Sequence, residues 1–579
     1  MSEREDLATV TSPKAADVDR RRFLQLFSAA GLTAAAFPSA VWALAAKREP
    51  VTREELAKAL ALDGLEFTEA QEDMMLEGVN DLRGKYEQLR AVKLDNSVAP
   101  ALLFDPVVEG ETLETERRPF VMTRERAREV PADLEELAFL PLTALSELVR
   151  TRKVSSEALT RMYLGRLKRY DAVLHCVITL TEERALEQAR RADRELALGT
   201  YRGPLHGIPW GAKDLLAVKG YPTTWGATPY KNQVIDADAT VVKRLDEAGA
   251  VLVAKLTLGA LASGDVWFGG RTRNPWNPEQ GSSGSSAGPA SAVAAGLVGF
   301  AVGSETRGSI LSPCTRCGAT GLRPTFGRVS RAGAMALSWS MDKLGPICRA
   351  VEDCAVVLAA IAGPDGEDET VVDVPFNWDP ELDVRKLKIG YLKSIFEETP
   401  DEKRKEWHDL DLATVEKVRS LGVELVPIEL PGLPVDAMSF ILSAEAAAAF
   451  DELTVSGRDA ELVRQDAHAW PNTFRQARTI PAVEYIQANR LRRVAMREMA
   501  RILTGLDGYL SPTYGGSNLL LTNLTGHPAV VLPNGFRSDG TPTSITFMGT
   551  LFGDAKALAL AKAYQDATGF HLRHPEVKL

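Results

Sequence analysis

The sequence predicts an α/β fold, a sheet covered by helices on both faces, with a helical extension ahead of it. Three observations carry this. From about Asp133 onward, short apolar runs alternate with helical segments. The stretch before Asp133 is charged and spaces its apolar residues for one helical face. No repeat occurs at a solenoid period.

The chain opens with a segment that reads as an address. Asp19-Arg20-Arg21-Arg22-Phe23-Leu24 precedes an apolar, alanine-rich run from Phe23 to Ala46. Adjacent arginines before a moderately apolar stretch match a twin-arginine export signal, and Ala43-Leu44-Ala45 offers the small-x-small pattern of a cleavage site. Residues 1–46 are therefore expected to be a signal peptide engaging the twin-arginine export machinery, with periplasmic or extracellular delivery. An uncleaved anchor is the alternative, although Gln25, Ser28, Pro38 and Ser39 make a poor membrane span.

Residues 47–132 are expected to be the helical extension, on the strength of Glu55-Leu-Ala-Lys-Ala-Leu-Ala and of Met74, Met75, Leu76, Leu82 and Leu89. Residues 133–579 form the main domain. Within it, helices are expected over Leu142–Arg169, Glu182–Leu198, Thr240–Ala248, Ala287–Gly296 and Leu410–Leu421. Strands are expected at Ala250–Ala254, Leu297–Val302, Leu387–Leu392 and Glu424–Ile428, with an apolar run over Val173–Leu180. Pro364–Asp383, acidic and rich in turn formers, reads as a surface loop.

Hydrophobic residues make up 45% of the 579 and charged ones 25%, the balance of an ordinary globular chain, so disorder along most of its length is excluded. Net charge is -10, with no basic stripe to track phosphates, which argues against a nucleic-acid partner. The five cysteines include Cys314-x-x-Cys317, but no second pair follows at zinc spacing. These two read as packing residues or a local disulfide.

The densest chemical signal lies between Asn274 and Pro346. Gly281-Ser-Ser-Gly-Ser-Ser-Ala-Gly-Pro precedes the small-residue helix, and Gly303-Ser-Glu-Thr-Arg-Gly-Ser-Ile follows the apolar strand. Glycine and serine let backbone pass close to a ligand. Successive N–H groups in a turn at a strand end can converge on one anion as an oxyanion hole. A flexible linker would not be followed by a helix and a buried strand. Neither G-x-x-x-x-G-K-[ST] nor G-x-G-x-x-G occurs, which excludes the usual phosphate loops. A nucleophilic serine needs a base. The seven histidines lie away from these loops, His206 being nearest, in Leu205-His-Gly-Ile-Pro-Trp-Gly-Ala-Lys-Asp. That segment also carries Lys213, which can act as base only if its pKa is lowered.

Taken together, Gly207-Ile-Pro-Trp-Gly-Ala-Lys-Asp, Asn274-Pro-Trp-Asn, the Gly/Ser run, Leu322-Arg-Pro-Thr-Phe-Gly-Arg-Val-Ser, Asp342-Lys-Leu-Gly-Pro and Thr525-Gly-His-Pro make residues 133–579 resemble the amidase-signature family. The resemblance implies a large mixed central sheet and hydrolysis of a carboxylic amide through a serine acyl-enzyme, with no metal or cofactor. It implies Lys213 as catalytic lysine, Ser309 as nucleophile and Ser285 as bridging serine after a cis Gly284–Ser285 peptide. Ser282 and Ser283 become lining, and Ser286 a neighbour that tunes the hydrogen bonds and touches substrate. The oxyanion hole would use the N–H groups of Thr306, Arg307 and Gly308 with that of Ser309.

Arg307 departs from the Gly-Gly or Asp-Gly usual before the nucleophile, and its side chain could narrow or charge the pocket. Ala287 and Pro289 depart as well, without removing a reacting group. Trp225, Trp267, Phe268 and Trp339 read equally as pocket or core. The leading expectation is an exported amidase acting on a small, aryl or peptide-like amide. Two alternatives are a glutaminase-like subunit of a tRNA amidotransferase and a binding protein of the same fold without catalysis.

Overall fold

A computed structural model describes residues 50–579 apart from 66, 91, 93, 94, 99–101 and 124–128. The expected export signal and its cleavage pattern lie outside the described residues. The described chain divides into two compact units between Asp95 and Asn96.

The first unit holds two helices, Arg53–Leu62 and Glu69–Arg90. Thr52 opens the first with a capping box: its hydroxyl accepts from the Glu55 N–H, and Glu55 Oε2 accepts from the Thr52 N–H. The helical character expected to about residue 131 stops at Arg90. Residues 102–123 contain neither helix nor strand, and Pro106 and Pro119 there withhold the amide donors a helix would need.

That irregular stretch belongs to the second unit and straps its surface. The Arg118 and Val121 N–H groups donate to Asn377 Oδ1 at 2.9 Å and Trp378 O at 3.3 Å. The Thr123 N–H reaches Glu352 Oε1 at 2.7 Å. Phe104 lies edge-on to Phe326 with the Arg492 guanidinium 3.6 Å from its ring centre.

The core of this unit is an 11-stranded sheet. In chain order its strands are β1 (Val177–Leu180), β2 (Pro209–Lys213), β3 (Val251–Leu256), β4 (Phe300–Glu305), β5 (Thr320–Arg323), β6 (Lys343–Cys348), β7 (Lys388–Leu392), β8 (Glu424–Ile428), β9 (Gly508–Pro512), β10 (Ala529–Phe536) and β11 (Pro542–Gly549). Their spatial order is β1-β3-β2-β4-β6-β5-β10-β11-β9-β7-β8. The trio β3-β2-β4 is parallel, as is β9-β7-β8, and the remaining pairings are antiparallel, so the sheet is mixed.

Every residue of β2, β3, β4 and β6 is buried. Successive side chains point to opposite faces, so both faces are covered. The helices Glu182–Ala197, Ala287–Ala294, Val351–Ile361 and Asp554–Thr568 pack on the sheet. Lys255 on β3 stays buried because its ammonium lies 2.7 Å from Asp214 and donates to Pro222 O.

The strand expected at 297–302 begins three residues later, at Phe300. The helix Ala287–Ala294 ends in a Schellman turn: Leu297 N–H donates to Ala292 O and Gly296 N–H to Val293 O, with Gly296 at φ 65°. That turn consumes Leu297. The segment expected as one helix over 142–169 is two, Leu142–Arg150 and Ser156–Leu174. Cys314 and Cys317 sit buried in the helix Leu311–Cys317, and all five thiols are free. No described helix is long and apolar enough to cross a membrane.

Candidate active site

The chemistry gathers at the carboxyl ends of the parallel neighbours β2 and β4, the edge where α/β sheets place their ligands. Lys213 is the last residue of β2. The register Trp210 to Phe300, Gly211 to Ala301 and Ala212 to Val302 brings it level with Gly303 and Ser304. The third contributor is the turn before the helix Ala287–Ala294, which carries Ser285 and Ser286 behind a cis Gly284–Ser285 peptide.

The Lys213 amine is fully buried. It lies 2.8 Å from Ser285 Oγ, 3.0 Å from Ser286 Oγ and 2.8 Å from Ser304 Oγ. Burial drives its pKa down to about 7, against the opposing pull of Asp342 and Glu305. Near neutral pH it therefore holds a free lone pair a substantial part of the time. Ser286 is tied in on both sides: its hydroxyl donates to Ser304 O at 3.1 Å and accepts from the Ser304 N–H at 3.2 Å. Gly303 has to lack a side chain, because a Cβ there would stand 2.7 Å from Ser286 Oγ.

Ser309 joins this group through the backbone, its carbonyl accepting from the Ser286 N–H at 3.0 Å. Exposure increases outward from the amine, from 0% at Lys213 to 1% at Ser285 and 9% at Ser309. The lysine is thus the deepest member and Ser309 the one nearest solvent. Ser282 and Ser283 stand apart from the amine. The Ser282 hydroxyl donates to Ser283 O, and the Ser283 N–H donates to Asp265 Oδ2.

The turn 306–309 is held from both ends. Thr306 Oγ1 donates to Asp342 Oδ1 at 2.5 Å. Glu305 Oε2 accepts from the Ile310 and Leu311 N–H groups at 2.9 and 3.0 Å. Glu305 Oε1 is matched by Arg323 at 2.9 Å and Asn523 at 3.0 Å. Burial pushes this carboxyl upward, but Arg323 and the Leu311 N–H outweigh it and hold it below the ordinary range. Gly308 supplies φ 84°, which most residues adopt only under strain. Among the described residues, none accepts a hydrogen bond from the N–H of Thr306, Arg307, Gly308 or Ser309.

Sequence reasoning gave no role to five residues of the site. Ser304 touches the amine, Asp342 braces the turn, and the Glu305–Arg323–Asn523 network anchors it. Ser304 and Glu305 stood inside the segment already singled out; Asn523 lies 218 residues from Glu305, where no local pattern could connect them. Trp225 and Trp267 are buried, Phe268 and Trp339 half-buried, and the Trp225 ring packs at a tilt against Tyr230, centroids 4.6 Å apart.

A buried lysine in contact with serine hydroxyls, Ser285 among them, and a further serine on a turn of N–H donors without acceptors among the described residues, is the equipment of a serine hydrolase for acyl groups. Comparison with known proteins narrows the class. Residues 158–519 match the model of the family described as Amidase. The chain is 34% identical over 480 residues to the A subunit of the glutamyl-tRNA(Gln) amidotransferase of Marinomonas sp. (strain MWYL1), covering 75% of this chain and 98% of that one. The crystal structure of native peptide amidase from Stenotrophomonas maltophilia is similar with TM-score 0.68 and 29% identity, covering 77% of this chain and all of that one. That of the A subunit of the glutamyl-tRNA(Gln) amidotransferase from Thermotoga maritima gives TM-score 0.64 and 27% identity, over 78% and 99%. The chain belongs to the amidase family, in its amidase-signature form, and is an enzyme hydrolysing C–N amide bonds.

Proposed function

We propose that this enzyme hydrolyses a small, aryl or peptide-like amide outside the cytoplasm, through an acyl-enzyme on Ser309. The observation that carries the reading is the buried Lys213 amine 2.8 Å from Ser285 Oγ. Neutral Lys213 takes a proton from Ser285, which takes one from Ser309, whose oxygen attacks the amide carbon. The carbonyl oxygen becomes an alkoxide facing the N–H groups of Thr306, Arg307, Gly308 and Ser309. Each such donor typically contributes about 3 kcal/mol to the transition state. The proton returns through Ser285 to the departing nitrogen, and water clears the ester by the reverse path. No step calls on a metal or cofactor.

Export rests on Arg20-Arg21 and the apolar run behind them. The similarity to amidotransferase subunits favours a second reading, ammonia release from glutamine for a tRNA-linked partner. An exported chain does not meet charged tRNA, so the independent amidase is preferred. A fluorophosphonate probe on purified protein tests the nucleophile: labelling that disappears in Ser309→Ala supports it, and an unlabelled folded enzyme refutes it. Turnover of aryl anilides, fatty amides or amidated peptides by the isolated chain favours the amidase. Activity only on glutamine, with copurifying subunits, favours the alternative.

A further inference from the structure

Residues 285–311 run from the bridging serine through a helix, β4 and the nucleophile turn, and every one of them is buried except Arg307. The exposed side chain thus surfaces two residues before Ser309, inside the turn whose N–H donors face the reacting carbonyl. Among the described residues, no carboxylate, carbonyl or ring pairs with its guanidinium. The carboxylates that flank the turn are committed elsewhere. Glu305 is matched by Arg323 and two backbone donors, and Asp342 by Thr306 and the N–H groups of Leu337 and Ser338. A permanent, planar, five-donor cation is therefore presented beside Ser309 with no partner among the described residues.

We infer that Arg307 selects for substrates that carry a carboxylate close to the scissile carbonyl. The guanidinium matches a carboxylate with two parallel hydrogen bonds, a geometry that a neutral amide cannot offer. Fixed beside the oxyanion donors, it rewards an anion on the acyl group or on the leaving group within a few bonds of the reacting carbon. It disfavours a cation there. This rests on the amidase reading and names its substrate class.

Two matched pairs of reactive esters test it. 4-Nitrophenyl succinate against 4-nitrophenyl butyrate places the charge on the acyl side. 3-Carboxy-4-nitrophenyl butyrate against 4-nitrophenyl butyrate places it on the leaving side. The readout is the ratio of kcat/KM within each pair, in which any general loss cancels. The wild-type enzyme favours the anion in at least one pair. Arg307→Gln lowers that ratio about 10-fold or more, Arg307→Lys retains part of it, and added salt erodes it in the wild type but not in Arg307→Gln. Ratios unchanged by Arg307→Gln in both pairs overturn the inference, as does an enzyme that labels at Ser309 yet accepts none of these esters. A folded enzyme whose Ser309 takes no fluorophosphonate overturns the amidase reading itself, and this inference with it.

Discussion

Raising the pH from 6 to 8 removes the proton from Lys213, and the rate of acylation should follow. Burial brings this lysine from the usual 10.5 down to about 7, a shift of about 5 kcal/mol toward the neutral amine relative to a lysine in water. The neutral fraction then climbs from about one-tenth at pH 6 to about nine-tenths at pH 8, so the rate rises about 10-fold and levels off. A lysine in solvent would instead gain about 10-fold per pH unit, with no plateau below pH 10. The assay is the second-order rate of fluorophosphonate labelling of Ser309, alongside kcat/KM on any ester or anilide the enzyme turns over, between pH 5.5 and 9.5. Lys213→Ala should lose about 10²- to 10⁴-fold and flatten the profile. A wild-type rate still climbing with unit slope at pH 9.5 would refute the burial argument. A maximum near pH 5, or a Lys213→Ala variant of near-normal rate, would show that another group is the base.

Ser285→Ala should lower kcat about 10²- to 10³-fold while circular dichroism and Tm stay at wild-type values; near-normal turnover would mean the proton takes another path. Glu305→Gln leaves the fully buried Arg323 without its counter-charge, and urea titration should show a loss of about 3–5 kcal/mol together with slower labelling of Ser309. A folded, fully active Glu305→Gln variant would mean that the turn needs no such anchor. Asp411 is a buried carboxyl that accepts from Asn534 Nδ2, and burial raises its pKa from the usual 3.8 to about 7. Between those pH values the folded chain holds a proton that the unfolded chain releases, so this contribution to stability falls as pH rises. Asp411→Asn should therefore be more stable than wild type at pH 8, by about 2–4 kcal/mol, and equal to it near pH 4; equal stability at both pH values would contradict the assignment.

Much of the site was legible because its chemistry is local in sequence. Lys213 closes the short strand Pro-Trp-Gly-Ala-Lys, Ser285 and Ser286 precede a helix of small residues, and Ser309 sits in the turn that Gly308 permits. The alternation of elements pointed to the α/β architecture on the same grounds, and the amine lies against Ser285 while Ser282 and Ser283 stand apart from it. What escaped notice was relational. Ser304 reads as one more residue of a Gly/Ser stretch until β2 is laid beside β4. The bracing of the turn by Asp342 and Asn523 depends on strands and helices that meet only in the folded sheet. The start of β4 was misjudged because Leu297 is apolar yet belongs to a helix cap, and residues 102–123 carry apolar residues that serve a strap rather than a helix.

The order of the strands governs when the protein can become itself. β10 and β11, drawn from residues 529–549, sit between β5 and β9 and join the catalytic half of the sheet to the other half. Until residues 529–549 have left the ribosome, those two halves face each other with bare, adhesive borders at Thr320–Arg323 and Gly508–Pro512. Chains cut short before residue 529 should then clump rather than work. Any fragment trimmed to the 158–519 family match would carry Lys213, Ser285 and Ser309 on a sheet missing its middle.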